Sequence, residues 1–195
     1  RLTMVLKSIG ELDALLSIAS LVKEYMGSAN HYCFPTYEHS QTTPHLRIMQ
    51  FWHPHFDNGI PNDIEMGGTI PRNEIVTGPN GGGKSNYTKG TIINTILAQS
   101  FTIAAAQSME LTPFALINTY LNIVQDAGKN ISQHRAEARR ARTLLDQIKN
   151  LPRGEFSLTT MDEMFRCTNP QTGACASYSL GKELGALPHS LLILA

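Results

Sequence analysis

The run Gly78-Pro79-Asn80-Gly81-Gly82-Gly83-Lys84-Ser85 has the spacing G-x-x-x-x-G-K-S. It lies between an apolar strand expected at Asn73 to Thr77 and a helix expected from Ser85 to Ala98. Glycines in such a turn let backbone N–H groups converge on the β- and γ-phosphates of a nucleotide, and the following helix aims its positive end at them. Lys84 adds a point charge and Ser85 a hydroxyl suited to Mg²⁺. A phosphate loop needs an acidic strand end to complete the metal shell and manage water. Asp162 and Glu163 follow Ser157-Leu158-Thr159-Thr160-Met161, so Asp162 is placed to hold the metal shell and Glu163 to orient or deprotonate the attacking water. Thr159 and Thr160 make that strand more polar than a central strand usually is.

The elements that must carry these groups follow from periodicity. Leu12, Leu15, Leu16, Ala19 and Val22 recur at helical spacing within residues 3–26 and predict a helix with one buried face, ending at Gly27. From His31 to Arg72, five prolines and three glycines predict short strands and turns, with strands at Leu46-Arg47-Ile48 and around Ile64. Ile92, Ile93, Ile96 and Leu97 are the expected apolar side of the helix after the loop. Further strands are expected at Phe101 to Ala105, Ala115 to Ile123, Phe156 to Met161 and Leu191 to Ala195, and helices at Ser132 to Lys149 and Gly173 to Leu184. Alternating strands and helices predict an α/β fold with an open, mostly parallel sheet and crossover helices, preceded by a small strand-rich subdomain. The expected divisions are a connecting helix at 1–27, a strand-rich part at 28–72 and a phosphate-loop core at 73–195.

With 42% hydrophobic and 16% charged residues in 195, the chain has material for a core and lacks the charge density of a disordered tail. Sixteen Lys and Arg balance sixteen Asp and Glu, which argues against nucleic-acid binding by bulk phosphate neutralisation. Cys33, Cys167 and Cys175 show no Cys-x-x-Cys pair and cannot all form intrachain disulfides, so a reducing intracellular compartment is expected, in cytoplasm, nucleus or an organelle. No 18-residue apolar run suggests a membrane span. The start at Arg1 and the apolar end at Leu191 to Ala195 predict a domain taken from a longer protein.

The loop at Gly78 to Ser85, followed by Asp162-Glu163-Met164-Phe165-Arg166-Cys167-Thr168-Asn169-Pro170 and Gly173, resembles the ATPase domain of the MutS family of DNA mismatch-repair proteins, within the wider ABC-type ATPases. Glu11-Leu12-Asp13, His53-Pro54, Ile60-Pro61-Asn62-Asp63-Ile64 and the segment Ser132 to Glu137 fall in the order of that pattern, so the resemblance covers nearly the whole chain. It implies a P-loop NTPase fold of ABC type with ATP and Mg²⁺ as cofactors. Gly78, Pro79, Asn80, Gly81, Gly82, Gly83, Lys84, Ser85 and Asn86 would then face the nucleotide, with Ile60 and Asn62 in the part near adenine. Asn130-Ile131-Ser132 resembles the ABC signature, whose serine reaches the γ-phosphate bound by the opposite subunit, and Glu137 is similar to the acidic residue after it. Arg166 to Asn169 resembles the loop at the composite dimer interface. The implied partners are a second MutS-like subunit, in a homo- or heterodimer, and DNA held mainly by domains outside these residues.

The chain departs from the family pattern at several places. Phe165 and Cys167 stand for glycines, Asn169 for serine, Asn86 for the threonine after the loop serine, and Gln133-His134 for a Thr-Phe pair. The histidine expected after the terminal strand lies past Ala195, and His189 precedes that strand. Two other functions fit these residues: a nucleotide-gated clamp or interaction domain with little turnover, and a different ABC-type DNA-maintenance ATPase. Arg135, Arg139, Arg140 and Arg142 form a local basic stretch, read as a solvated or interdomain face or as a contact for nucleic acid or a partner's acid. His31, His39, His45, His53 and His55 with Cys33 match no zinc spacing and are expected to be structural or surface groups. Phe51 and Trp52, beside His53-Pro54, are expected in a packed turn, with stacking on a base as the alternative.

Overall fold

The computed structural model describes residues 2–28, 30–39, 42–56, 59–120, 133–162, 164–165 and 169–195. In chain order its elements are α1 (Leu2–Glu24), β1 (Tyr32–Cys33), β2 (Thr36–Tyr37), β3 (His45–Phe51), β4 (Asn62–Gly67), β5 (Asn73–Ile75), α2 (Lys84–Phe101), β6 (Ala104–Ala105), β7 (Ser108–Leu111), β8 (Leu116–Tyr120), α3 (Gln133–Lys149), β9 (Ser157–Met161), α4 (Pro170–Gly185) and β10 (Ser190–Leu194). Four strands form a parallel sheet in the order β5-β10-β9-β8. Four others form a mixed sheet in the order β2-β7-β3-β4, and β1 pairs with β6 antiparallel. The fold is therefore α/β. Its strand-rich part draws β7 from beyond α2, because Leu46 to Met49 of β3 need a hydrogen-bonded neighbour on the side away from β4, and β6 from there to pair with β1.

Two apolar clusters hold these layers together. Leu46, Ile48, Ile64, Met66 and Leu111 of the mixed sheet pack with Ile92 and Ala98 of α2 and with Leu158, Leu191 and Ile193 of the parallel sheet. On the opposite face of the parallel sheet, Leu144 and Ile148 of α3 and Leu180 and Leu184 of α4 meet Tyr120, Met161 and Leu192. The parallel sheet is thus covered on both faces, which is why Leu191-Leu192-Ile193 reads as a continuous apolar run.

Helix α2 does not bury the side that its isoleucines suggested. Its buried residues are Thr88, Gly90, Thr91, Ile92, Asn94, Thr95 and Ala98, while Ile96 is exposed. The reason is that α2 serves two partners. The side chain of Asn94 is a complete clamp: its Nδ2 donates to Trp52 O (3.0 Å) and Gly90 O (2.9 Å), and its Oδ1 accepts from Ala105 N–H (2.6 Å). Gly90 lets the Phe51 ring approach, since a Cβ there would stand 3.2 Å from Phe51 Cε2. The threonines satisfy their own hydroxyls on the helix, Thr91 Oγ1 donating to Tyr87 O and Thr95 Oγ1 to Thr91 O, so they are buried without an orphaned donor.

A bulge in β3 sets the chain path beyond it. The β3–β4 register shifts between Ile48 and Phe51, and Gln50 has φ 51°. Asp63 accepts from Gln50 N–H (2.6 Å) and Gln50 Nε2 (2.9 Å), which holds that left-handed residue and keeps the Asp63 carboxyl below its usual range. After the bulge Phe51 and Trp52 are both buried. Phe51 stacks near Tyr87 of α2 (5.4 Å), and Trp52 packs against Tyr25 (5.2 Å) and Tyr32 (5.5 Å). Tyr25 thereby ties the end of α1 to the fold.

The rest of α1 differs from the expected half-buried helix. None of its residues is buried, and Leu2, Val5, Ile9, Leu12 and Leu16 are exposed. Among the described residues no helix is long and apolar enough to cross a membrane.

Cys33 lies half-buried in β1, and burial pushes its thiol up to about 11. Only roughly one in a thousand Cys33 side chains is then thiolate at pH 8, against about a quarter for an unperturbed thiol. Iodoacetamide at pH 8 is expected to modify Cys33 at least a hundredfold more slowly in the native chain than in urea, read by peptide mass spectrometry.

Candidate functional site

The loop between β5 and α2 reaches the sheet's carboxyl end, where Val76 N–H donates to Leu194 O (2.7 Å). Gly81 (φ 79°) and Gly83 (φ 86°) take the left-handed conformation that closes the turn onto the helix. Gly82 N–H donates to Pro79 O (3.0 Å), and Lys84 Nζ reaches back over the loop to donate to Gly78 O (2.8 Å) and Pro79 O (3.0 Å). Helix α2 begins at Lys84, with Gly83 as its N-cap and no side chain satisfying its first N–H groups. Those donors, with the positive end of an 18-residue helix, suit an anion.

The strand order brings an acid to the same place. β10 lies between β5 and β9, and Asp162 follows directly after β9. Ser85 Oγ donates to Asp162 Oδ2 at 2.6 Å, joining the first turn of α2 to the end of a strand 77 residues further along. Asp162 Oδ1 is buried and has no hydrogen-bond partner among the described residues. A hydroxyl beside a carboxylate with one oxygen still open is a hard-oxygen donor set, which fits Mg²⁺.

Two walls enclose the space beside the loop. A cavity of about 800 Å³ is lined by Gly82, Gly83, Lys84, Asn86 and Tyr87 on one side and by Phe51, His53, His55, Phe56, Ile60 and Asn62 on the other. Ile60 and Asn62 thus share one cavity with Lys84. Asn62 Nδ2 donates to Ile60 O (2.9 Å). Tyr87 OH donates to Glu74 Oε1 (2.8 Å), and its burial and that carboxylate push the phenol far above its usual range. Tyr87 was not among the residues expected at the site. Its position four residues after Gly83, where its N–H donates to Gly83 O (2.9 Å), is the signal that could have found it.

Of the other expected residues, Glu163, Ser132, Asn130, Ile131 and Arg166 to Thr168 lie outside the described residues. Asn169 is described, and its role is local: its side chain accepts from Gln171 N–H (3.0 Å) as the N-cap of α4, with Pro170 in the first turn. Phe165 has φ 54° and is buried near Tyr120, so a bulky side chain occupies a backbone conformation natural to the glycine of the family pattern. Glu137 is buried, with its Oε2 lacking a partner among the described residues. The arginines of α3 divide: Arg140 donates to Thr119 O (2.8 Å) and covers the Tyr120 ring, Arg142 faces Asp146 (3.9 Å), and Arg135 and Arg139 are exposed. His45 pairs with Glu38 (2.9 Å), and among the described residues no three His, Cys, Asp or Glu form a group that could hold a metal ion.

Residues 74–195, from β5 through the loop and Asp162 to the end of β10, match the family model of MutS domain V. This chain belongs to the MutS family. The MutS chain is similar to the DNA mismatch repair protein MSH6 of Saccharomyces cerevisiae, with 29% identity over 189 residues that cover 90% of this chain and 15% of that protein. It is similar to MSH3 of the same species, with 29% identity covering 96% of this chain and 18% of that protein. It is also similar to MutS of Chlamydia pneumoniae, with 30% identity covering 86% of this chain and 19% of that protein. It therefore spans less than a fifth of the length of these mismatch repair proteins. The similarity extends upstream of domain V, over the α1 to β4 part. MutS membership supports nucleotide binding and ATPase activity of the general kind found in this family.

Proposed function

We propose that this MutS domain binds and hydrolyses Mg·ATP at the loop between β5 and α2, and that this controls how a MutS-like DNA repair protein holds DNA. The observation that carries the proposal is the Ser85–Asp162 hydrogen bond of 2.6 Å with Asp162 Oδ1 left open, at the mouth of a helix N-terminus that lacks a side-chain cap. In this reading the N–H groups of Gly81, Gly83, Lys84 and Ser85 and Nζ of Lys84 would bind the β- and γ-phosphates. Ser85 and Asp162 would hold Mg²⁺, which when bound would supply charge neutralisation of the phosphates. Glu163 would position or deprotonate water. Asn86 borders the loop, and Ser132 would reach the γ-phosphate of a second MutS-like subunit, so a dimer would close over two nucleotides. DNA would be gripped by other parts of the protein. The free thiols of Cys33 and Cys175 accord with a reducing intracellular compartment.

Calorimetry with ATP, with and without Mg²⁺, tests the site. The wild-type chain is expected to bind ATP more tightly with Mg²⁺, and Asp162→Asn to lose most of that gain while still binding ATP alone. A metal effect of equal size in both proteins would remove Asp162 from the metal shell. A second reading, a nucleotide-gated clamp with little turnover, draws on Phe165 in left-handed backbone just after the acidic pair. Tight binding and ATP-driven dimerisation without phosphate release would favour it.

A further inference from the structure

Helix α3 covers the parallel sheet at its last strand. The order β5-β10-β9-β8 leaves β8 with β9 as its one paired neighbour among the described residues. Leu116 N–H donates to Phe156 O (3.3 Å) and Asp162 N–H to Tyr120 O (3.2 Å), both on the β9 side, whereas Thr119 O accepts from Arg140 of α3 (2.8 Å). Backbone groups alternate in direction along a strand, so Ile117 and Thr119 turn their N–H and C=O groups away from β9. Arg140 caps one of these, and the edge is otherwise open among the described residues.

A cavity of about 380 Å³ lies along this edge, with Asn118 and Tyr120 on its strand wall and Arg139, Arg140, Thr143 and Gln147 on its helix wall. It shares no lining residue with the cavity beside the loop between β5 and α2. Two features of its walls are not explained by packing. The first is charge. Arg139 is exposed, and its neighbours one turn away on α3 are Arg135, Ala136, Arg142 and Thr143, so the helix offers it no carboxylate and sets like charges at i−4 and i+3. No Asp or Glu is among the described residues that line the cavity, although Lys and Arg are matched one for one by Asp and Glu over the chain as a whole. The second is a stranded donor. Asn118 Nδ2 is buried without a hydrogen-bond partner among the described residues, as is Oγ1 of Thr159, its neighbour in register on β9. Buried polar groups are ordinarily paired. The terminal torsion of an asparagine is broad, so this amide can turn toward an acceptor that enters the cavity.

We propose that the cavity is a docking site for a partner protein, which lays an extended acidic segment along the open edge of β8 and places a carboxylate between Arg139 and the Asn118 amide. Each part of the site has its counterpart in such a ligand. The backbone groups of Ile117 and the N–H of Thr119 pair with another peptide backbone, the guanidinium matches a planar carboxylate, and Thr143 and Gln147 supply further hydrogen bonds from the helix wall. A nucleic acid fits less well. It has no peptide backbone to extend the sheet, and the zero net charge of the chain gives no long-range pull on phosphates. The Tyr120 ring, the aromatic group of the described lining, is buried beneath Arg140 and closed to a stacking base.

The probe is the peptide acetyl-Val-Glu-Val-Glu-Val-amide, titrated into the isotope-labelled 195-residue chain and followed by NMR at the N–H groups of Ile117 and Thr119 and the side-chain amide of Asn118. Saturable shifts of these groups are expected. Arg139→Gln is expected to weaken binding about tenfold, because it removes a charge-assisted contact, and Arg139→Lys to recover part of the loss. The same peptide with Gln in place of Glu is expected to bind the wild-type chain about tenfold more weakly. Arg139 is exposed, so its replacement should leave the melting temperature unchanged. The proposal is overturned if the probe at millimolar concentration moves none of these groups, if the Glu and Gln peptides bind alike, or if Arg139→Gln binds as the wild type does. Shifts at Arg139 alone, with Ile117 and Thr119 unmoved, would also overturn it, since they describe a surface ion pair without strand pairing. Displacement of the peptide by single-stranded oligothymidylate at lower concentration would give the arginines to nucleic acid and sink the acidic-segment assignment.

Discussion

Lys84→Ala is expected to weaken ATP binding by at least about a hundredfold while changing the melting temperature little. The ammonium is held by two backbone carbonyls of its own loop, Gly78 O at 2.8 Å and Pro79 O at 3.0 Å. Both bonds are solvent-accessible, so their loss costs the folded chain little: water replaces the donor. A triphosphate presents a stronger partner for the same cation. Each charge-assisted bond to phosphate contributes about 1.5–3 kcal/mol, and one ammonium can make two, hence a hundredfold or more. Calorimetric titration of wild type and variant with ATP measures the loss. Binding within threefold of wild type would show that the loop is not the phosphate site. Lys84→Arg is a second check, because a planar guanidinium has a different reach and geometry from a compact ammonium. It is expected to recover only part of the affinity.

How much of this was legible from residues alone depends on whether a feature is local. The loop is eight consecutive residues whose glycines, cation and hydroxyl act through backbone geometry, and the structure gives Gly81 and Gly83 the positive φ that the turn needs. Residue types alone relate Ser85 to Asp162 only through a metal; their hydrogen bond follows from the topology, since a helix start and a strand end in a parallel sheet meet at one edge. The buried side of α2 was not legible. Periodicity weighs Ile93 and Ile96 above threonine, yet a helix caught between two sheets turns inward whichever residues meet both, and Asn94 serves Trp52, just past β3, and Ala105 of β6 at once. Its burial is tolerable only because all its bonds are made, which no hydropathy pattern records.

Two further misses have the same cause. Strand β7, Ser108–Leu111, is four residues of mixed polarity whose strand character comes from pairing with β3 and β2, both far away in sequence. Helix α1 has the apolar repeat expected of a buried helix, but the described fold touches it mainly through Tyr25 at its end, so its leucines face outward. The rings of His55 and Phe56 were not legible as a group because their grouping is spatial: a bulge at Gln50 and two turns bring them to the same cavity as Lys84.

Gly67→Ala should unfold or nearly unfold the chain at ambient temperature, whereas Gly68→Ala should cost only about 1 kcal/mol. Both glycines have positive φ, 79° and 61°, so both substitutions carry the conformational penalty of a left-handed L-residue. What differs is the space. A Cβ at Gly67 would lie 1.9 Å from Pro44 O and 2.9 Å from Pro44 C, atoms of a backbone that cannot rotate away, and 3.0 Å from Leu191 Cδ2. At Gly68 the nearest atom is His45 Cδ2, at 3.6 Å, an ordinary contact. Relief at Gly67 would require parting β4 from β3, where Gly67 pairs with His45, or breaking the bonds Gly67 N–H to Pro71 O (3.1 Å) and Gly68 N–H to Pro44 O (3.0 Å). Steric conflict with backbone in a buried position belongs to the class of changes that cost more than about 4 kcal/mol, a large fraction of the total stability of a domain. The effect should extend to the site. Gly67 sits where the mixed sheet meets Leu191 of the parallel sheet, and the cavity beside the loop takes Phe51, Ile60 and Asn62 from one part and Lys84 from the other. Urea denaturation of the two variants beside wild type, followed by circular dichroism, gives the comparison. Equal stability losses at 67 and 68 would mean that the close approach of β4 to Pro44 is not a feature of the folded chain.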